Sequence, residues 1–312
     1  MTTKIPSDYV FSPEVAEARR SNQPIVALET AVVTHGLPYP MNLELARDLE
    51  SAVRAQGAVP ATIGLLGGKI HVGLTADELE QLGTPGGPSR KVSRRDFGLV
   101  LARKEKGGTT VAATLIAAHA VGLKVFATGG IGGVHRGEIF DISADLPELG
   151  RSPLVVVCAG AKSILDLPAT LEVLETQGVT VLGYQTDEFP GFYSRESGLP
   201  VGARVDTPAE VAEIARRHWA LGIEAALLVT APPPAEVAVP REQIEGIIQQ
   251  AQAEAVQQGI HGAKVTPFLL SRVSELSGGS SLRANLALLR NNAAIAGQIA
   301  CAMVTGPKTE QI

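Results

Sequence analysis

Aromatic side chains are scarce: Phe, Tyr and Trp make up 4% of the 312 residues. A core built without them must pack through Ala, Val, Leu, Ile and Gly, which suits an α/β protein with small residues between its layers. Cysteine is scarcer, with only Cys158 and Cys301, both in apolar, Ala-rich surroundings. Two thiols expected to be buried in so long a chain exclude a disulfide scaffold and fit a reducing compartment. The absence of a CxxC motif or Cys/His cluster argues against a structural zinc site. No apolar run approaches the roughly 18 residues of a membrane span. Met1 to Ser12 has no apolar signal segment, so the expected location is the cytoplasm. There is no long basic stretch, and the net charge is −5 with a pI of about 5.8. No membrane and no nucleic-acid polymer is therefore expected as a partner, whereas a small anionic substrate stays open because local charge decides its binding.

What is present is apolar and patterned. The apolar share is 45%, the charged share 19% and the mean hydropathy +0.16. This composition supplies a large core and excludes a disordered chain. Strand-like and helix-like segments alternate, which predicts a largely parallel α/β sheet. Strands are expected at 24–28, 98–102, 124–127, 179–184 and 225–229, with a hairpin pair at 62–66 and 69–72 about Gly67-Gly68. Helices are expected at 42–56, from Thr75, and at 109–120, 168–176, 208–221, 240–258 and 282–304. There is no fixed-period repeat and no linker, so residues 1–312 read as one domain.

Lys162 ends the run Leu154-Val155-Val156-Val157-Cys158-Ala159-Gly160-Ala161. The β-branched part reads as a strand buried on both faces, and the small residues after it admit close neighbours. A lysine placed there loses solvent, which disfavours its ammonium form and suits a Schiff-base nucleophile. Read alone, the segment favours a plain strand-end lysine that points into water. Glu29 likewise comes just after a short strand; burial there would raise its pKa and make it a proton donor, and otherwise it is an ordinary strand-end glutamate. The segment Thr128-Gly129-Gly130-Ile131-Gly132-Gly133-Val134-His135-Arg136 also comes after a strand. It fits neither GxGxxG nor a Walker A motif. It reads either as a phosphate or sugar loop, with His135 and Arg136 as anion contacts, or as a tight structural loop. Asp141 and Asp145, with Ser143 between them, suit Mg²⁺ or Mn²⁺, or else the first turn of a helix.

Together these segments, with Ala27-Leu28-Glu29-Thr30 and Thr34-His35-Gly36-Leu37-Pro38-Tyr39-Pro40, resemble the pseudouridine-5′-phosphate glycosidase family, also called indigoidine synthase A-like. The resemblance covers nearly the whole chain and does not extend into the sugar-kinase domain that some relatives carry. It implies a three-layer α/β/α sandwich on a mixed, largely parallel sheet, a homotrimer, and one Mn²⁺ per subunit. It implies cleavage of the C–C glycosidic bond of pseudouridine 5′-phosphate to uracil and ribose 5-phosphate. The family's nucleophile falls on Lys162, its proton donor on Glu29 and its metal-binding aspartate on Asp141. Its substrate contacts fall on Lys91, Thr110, Val111, Thr128, His135, Ser143 and Asp145, and a base-facing asparagine on Asn285. A C–C bond to a base offers no easy leaving group, so an iminium on Lys162 would supply the electron sink. Two rival readings stay open: a Schiff-base aldolase or lyase on another sugar phosphate, and a nucleotide-binding protein without turnover.

Overall fold

The computed structural model describes residues 5–137, 140–260 and 265–305. In chain order the strands are β1 (Tyr9–Phe11), β2 (Ile25–Leu28), β3 (Val59–Leu66), β4 (Lys69–Val72), β5 (Ser89–Val92), β6 (Lys106–Thr109), β7 (Val125–Ala127), β8 (Val134–His135), β9 (Val155–Cys158), β10 (Leu165–Asp166), β11 (Thr180–Tyr184), β12 (Ala203–Val205) and β13 (Leu227–Thr230). The helices are α1 (Pro13–Arg20), α2 (Met41–Arg54), α3 (Ala76–Gly83), α4 (Phe97–Arg103), α5 (Val111–Ala120), α6 (Asp145–Leu149), α7 (Leu167–Thr176), α8 (Pro208–Ala220), α9 (Arg241–Gln257), α10 (Val265–Leu276) and α11 (Ser280–Thr305).

The main sheet runs β1-β4-β3-β2-β7-β9-β13-β11-β12, with β6 joined to β3 and β5 to β6. From β3 to β12 every neighbour is parallel. Such strands have both faces covered, and all of β9 is buried accordingly. The eight-residue β3 belongs to two neighbourhoods. Val59 to Thr62 pair with β2, whereas Ile63 to Leu66 turn antiparallel to β4, and Gly64 and Leu65 pair with β6. The sheet is therefore mixed and mostly parallel. Helices α2, α8 and α11 pack together on one layer, and α11 lies along β2, β7 and β9. Helices α5, α6 and α7 contact one another in turn on the other layer. The expected three-layer α/β/α sandwich is the fold.

Most expected elements are present within a few residues. The hairpin turns on Gly67 and Gly68, both at positive φ. Thr75 closes a capping box with Glu78. The strand expected at 98–102 is instead the helix α4. The neighbouring strand is β6, whose Lys-Gly-Gly-Thr sequence carries no strand signal. Its glycines are required by packing: a Cβ on Gly107 would lie 2.4 Å from Val92 Cγ2, and one on Gly108 2.1 Å from Thr34 Oγ1. Cys158 is buried as expected, and burial pushes its thiol up to about 12. Cys301 is only half-buried, with its thiol against the Gln56 carbonyl at 3.2 Å. No helix among the described residues is long and apolar enough to cross a membrane.

Candidate active site

Three adjacent parallel strands, β2, β7 and β9, end side by side, and the chain just beyond each end carries a chemically useful group. Glu29 comes directly after β2, Thr128 directly after β7, and Lys162 lies four residues beyond β9. This is where open α/β sheets place their ligands. The hydroxyl of Thr128 donates to the Glu29 carboxyl. Burial raises the Glu29 pKa above the ordinary carboxyl value. The positive charges of Lys162 and Lys91 and the Thr128 hydrogen bond oppose that shift, and the negative charge of Asp145 adds to it. Lys91, on β5, is shifted down by loss of solvent and by the charge of Lys162, while Glu29 and Asp145 pull it the other way. These four charged groups therefore share one site.

Two buried networks hold that site. The first is made of threonines. Thr30 and Thr109 both donate to the Ile63 carbonyl, at 2.6 and 2.8 Å, and Thr114 donates to Thr109 Oγ1 at 3.0 Å. The Thr109 amide also donates to Thr30 Oγ1 at 3.0 Å. All three threonines are fully buried, so the ends of β2 and β6 are tied together beneath Glu29 and Thr110. Thr110 then caps α5, with its hydroxyl accepting from the Ala113 amide at 3.4 Å.

The second network is the glycine loop. Its amides are largely engaged within the protein. Thr128 N donates to the Val157 carbonyl at 3.0 Å and Ile131 N to that of Gly160 at 3.1 Å. Gly132 N donates to Asp145 Oδ2 at 2.8 Å, and Val134 N to Thr170 Oγ1 at 3.0 Å. In return, Lys162 N donates to the Ile131 carbonyl at 3.1 Å. The loop is a rail that fixes the backbone of Lys162 against Thr128. Glycine is needed because neighbours crowd it: a Cβ on Gly130 would lie 2.6 Å from Phe192, and one on Gly133 2.3 Å from Thr170 Oγ1.

Asp145 is buried at the start of α6, with its carboxylate clamped between Gly132 N and the Ala112 amide at 2.9 Å. Its two oxygens thus brace the loop against α5, and the reading of a first-turn helical acid holds for it. Ser143 supports it by accepting from the Asp145 amide at 3.2 Å. The Val111 side chain is buried, so this residue can meet a ligand only through its backbone. Its amide is the first of α5 and has no partner among the described residues. Asn285 is half-buried on α11, one turn before Leu288 and Leu289, which cover Gly129. Asp141 is exposed, and its backbone carbonyl accepts from His135 N at 3.0 Å.

His135 lines a groove of about 430 Å³ with Ile142, Asp166 and Glu172. Arg136 is not available as an anion contact. Its guanidinium donates to the carbonyls of Leu165 and Ser163, both at 3.0 Å, and pairs with Glu245. It is a strut beneath a cleft of about 450 Å³ bounded by α9. His35, to which the sequence assigned no role, sits in a π-helical turn, Val32–Gly36, with Nδ1 2.7 Å from Thr34 Oγ1. Loss of solvent and the nearby charge of Lys91 lower its pKa. A π turn is a frequent mark of functional sites, and the Thr34-to-Pro40 motif is its signal in the sequence.

Similarity to known proteins extends over nearly the whole chain. Residues 14–302 match the family described as indigoidine synthase A like protein. A protein of Paracoccus denitrificans named pseudouridine-5′-phosphate glycosidase is 54% identical over 304 residues, covering 96% of this chain and 100% of its own. One of the same name from Geobacillus kaustophilus is 54% identical over 293 residues, covering 93% of this chain and 97% of its own. Among solved structures, the prealnumycin C-glycosynthase AlnA in complex with ribulose 5-phosphate superposes with a TM-score of 0.89 at 40% identity, covering 96% of this chain and 98% of its own. On these grounds the chain belongs to the indigoidine synthase A-like family.

Proposed function

We propose that this protein cleaves the C–C glycosidic bond of pseudouridine 5′-phosphate, with water, to uracil and ribose 5-phosphate. The observation that carries the reading is the meeting of Glu29, Thr128 and Lys162 at the ends of adjacent parallel strands, with Lys91 in the same field. The names of the relatives support it, as does the sugar phosphate bound by the C-glycosynthase.

Each step falls to a residue of the site. Glu29, its pKa raised by burial, carries a proton to higher pH than an ordinary glutamate. It delivers that proton as the ribose ring opens. The Lys162 amine bonds to C1′ as the C1′–O4′ bond breaks and passes a proton back to Glu29; Glu29 then protonates uracil C5, and the nitrogen lone pair expels the base. An iminium between Lys162 and C1′ remains, and water hydrolyses it to ribose 5-phosphate. Lys91, Thr110, His135 and the backbone amide of Val111 are the proposed phosphate and sugar contacts. Binding energy from that remote group orients C1′ against Lys162. Asn285 is the proposed base contact, and Ser143 and Asp145 complete the substrate side.

One Mn²⁺ per subunit is proposed at Asp141. No group of three or more His, Cys, Asp or Glu gathers among the described residues. The exposed Asp141 carboxylate therefore fits an ion that keeps most of its waters. Such an ion would supply charge that orders water and the substrate's polar edge. A homotrimer in the cytoplasm completes the proposal, and the exposed side chains of Phe140 and Ile142 beside Asp141 support a protein contact there. The test is direct: purified protein with pseudouridine 5′-phosphate and Mn²⁺ should release free uracil. Turnover of other sugar phosphates without uracil release would favour the aldolase or lyase reading instead.

A further inference from the structure

Asn292 lies on α11, two turns beyond Asn285, and is completely buried. Its Nδ2 donates to the carbonyls of Thr128, at 2.9 Å, and Gly129, at 3.4 Å. Both partners are acceptors, which fixes the amide's orientation, since the reverse would set Oδ1 against two carbonyl oxygens. Oδ1 itself has no partner among the described residues. A buried acceptor left unpaired is destabilising. Leucine, close in size, would fill this place in an Ala-rich helix without that penalty. What asparagine adds is its hold on the two carbonyls.

Those carbonyls belong to the turn whose side chain reaches Glu29. The Thr128 amide is tied to Val157 and its hydroxyl to Glu29, and Asn292 holds the carbonyl between them. Leu288 and Leu289, on the same helix, pack onto Gly129: a Cβ there would lie 3.0 Å from Leu289 Cδ2. We propose that Asn292 is a positioning residue for Glu29, acting through Thr128: it locks the Thr128 peptide so that the hydroxyl stays on the Glu29 carboxyl. The inference rests on the glycosidase reading, in which Glu29 is the proton donor.

The groups facing Glu29 are Thr128, Lys162, Asp145 and Lys91. The Thr128 bond lowers the Glu29 pKa against the effect of burial. Losing that bond lets burial act further, so the pH at which activity fails should rise. Substrate capture by Lys91 and the Val111 amide should change little, so the loss should fall on kcat and not on KM.

The test uses the full-length enzyme and pseudouridine 5′-phosphate, comparing Asn292→Leu, Thr128→Val and the double variant across pH. Folding of each is checked by melting. Both single variants should lose about ten-fold in kcat, with little change in KM for Asn292→Leu, whereas Thr128→Val also removes a proposed sugar contact. Both should move the alkaline limb of the kcat profile to higher pH by a similar amount. The double variant should be no worse than Thr128→Val, because the two residues act in series. An unchanged profile in Asn292→Leu, or losses that multiply in the double variant, would overturn the proposal. If the leucine form does not fold, Asn292→Ser, a shorter donor, takes its place in the same comparison. Failure of the wild-type protein to release uracil would instead sink the glycosidase reading, and this role with it.

Discussion

Gly132→Ala should damage the site out of proportion to the single methyl it adds. A Cβ at Gly132 would lie 2.2 Å from Ser143 Oγ, 2.6 Å from Ser143 Cβ and 2.8 Å from Asp145 Oδ2. Rotating Ser143 does not relieve this, because its Cβ is in the way as well. The segment from Ser143 to Asp145 must withdraw by about 1 Å to reach ordinary contact. That movement strains the bond from Gly132 N to Asp145, and through it the brace onto Ala112 at the start of α5. Overpacking together with a weakened charge-assisted hydrogen bond should cost ~3 kcal/mol of stability. Displacing a group by about 1 Å in a positioned site should lower kcat/KM on the order of 10²-fold. Denaturant unfolding and a uracil-release assay measure the two effects. Gly246→Ala is the control: it lies inside α9, where an added Cβ meets nothing within 4 Å. It should stabilise by about 0.5–1 kcal/mol and leave turnover alone. If Gly132→Ala matched wild type in both assays, the loop would not be a rail for Lys162.

Further predictions concern charge, phosphate and metal. Glu29 has a folded-state pKa raised by burial, so its ionisation opposes folding, and stability should decline as pH rises from its unfolded value through the folded one. Glu29→Gln should therefore be more stable than wild type at neutral pH, lose that advantage in acid, and lose most turnover; equal pH–stability curves would refute this. Lys91→Ala should raise KM for the phosphorylated substrate by at least about ten-fold and narrow the preference over unphosphorylated pseudouridine, and equal kcat/KM for the two substrates on wild type would remove the phosphate requirement. Asp141→Ala should blunt activation by Mn²⁺ while melting like wild type, since the side chain is exposed, and full activity after exhaustive chelation would exclude a metal.

How far the site is legible in the sequence depends on whether a residue's role is local. Glu29, Thr128 and Lys162 stand out because each comes after a short apolar run, and parallel strands bring such ends together. Asn292 and the threonines Thr30, Thr109 and Thr114 do not, because most of their partners lie tens of residues away and each looks ordinary in its own stretch of sequence. Strand β6 is hidden for the same reason: Gly107 and Gly108 answer to Val92 and Thr34, not to any local preference for extended chain. The apolar run within α4 is too short for periodicity to separate a helix from a strand. Helix α10 buries only Leu269 and Val273 and carries Pro267 near its start, which leaves too weak a stripe to announce it. By charge alone Arg136 reads as an anion contact, and only the fold shows that Glu245, more than a hundred residues on, already holds it.

The mechanism stands on a covalent iminium between Lys162 and the sugar phosphate. Ribose 5-phosphate, in its open form, presents an aldehyde to that amine. Borohydride added to the enzyme with ribose 5-phosphate should fix the adduct as a secondary amine, and mass spectrometry of a digest should place it on the peptide carrying Lys162. Lys162→Ala should abolish both trapping and turnover, and Lys162→Arg should as well, because guanidinium stays protonated. An adduct on Lys91, or an active Lys162→Ala enzyme with no adduct on any lysine, would contradict the mechanism.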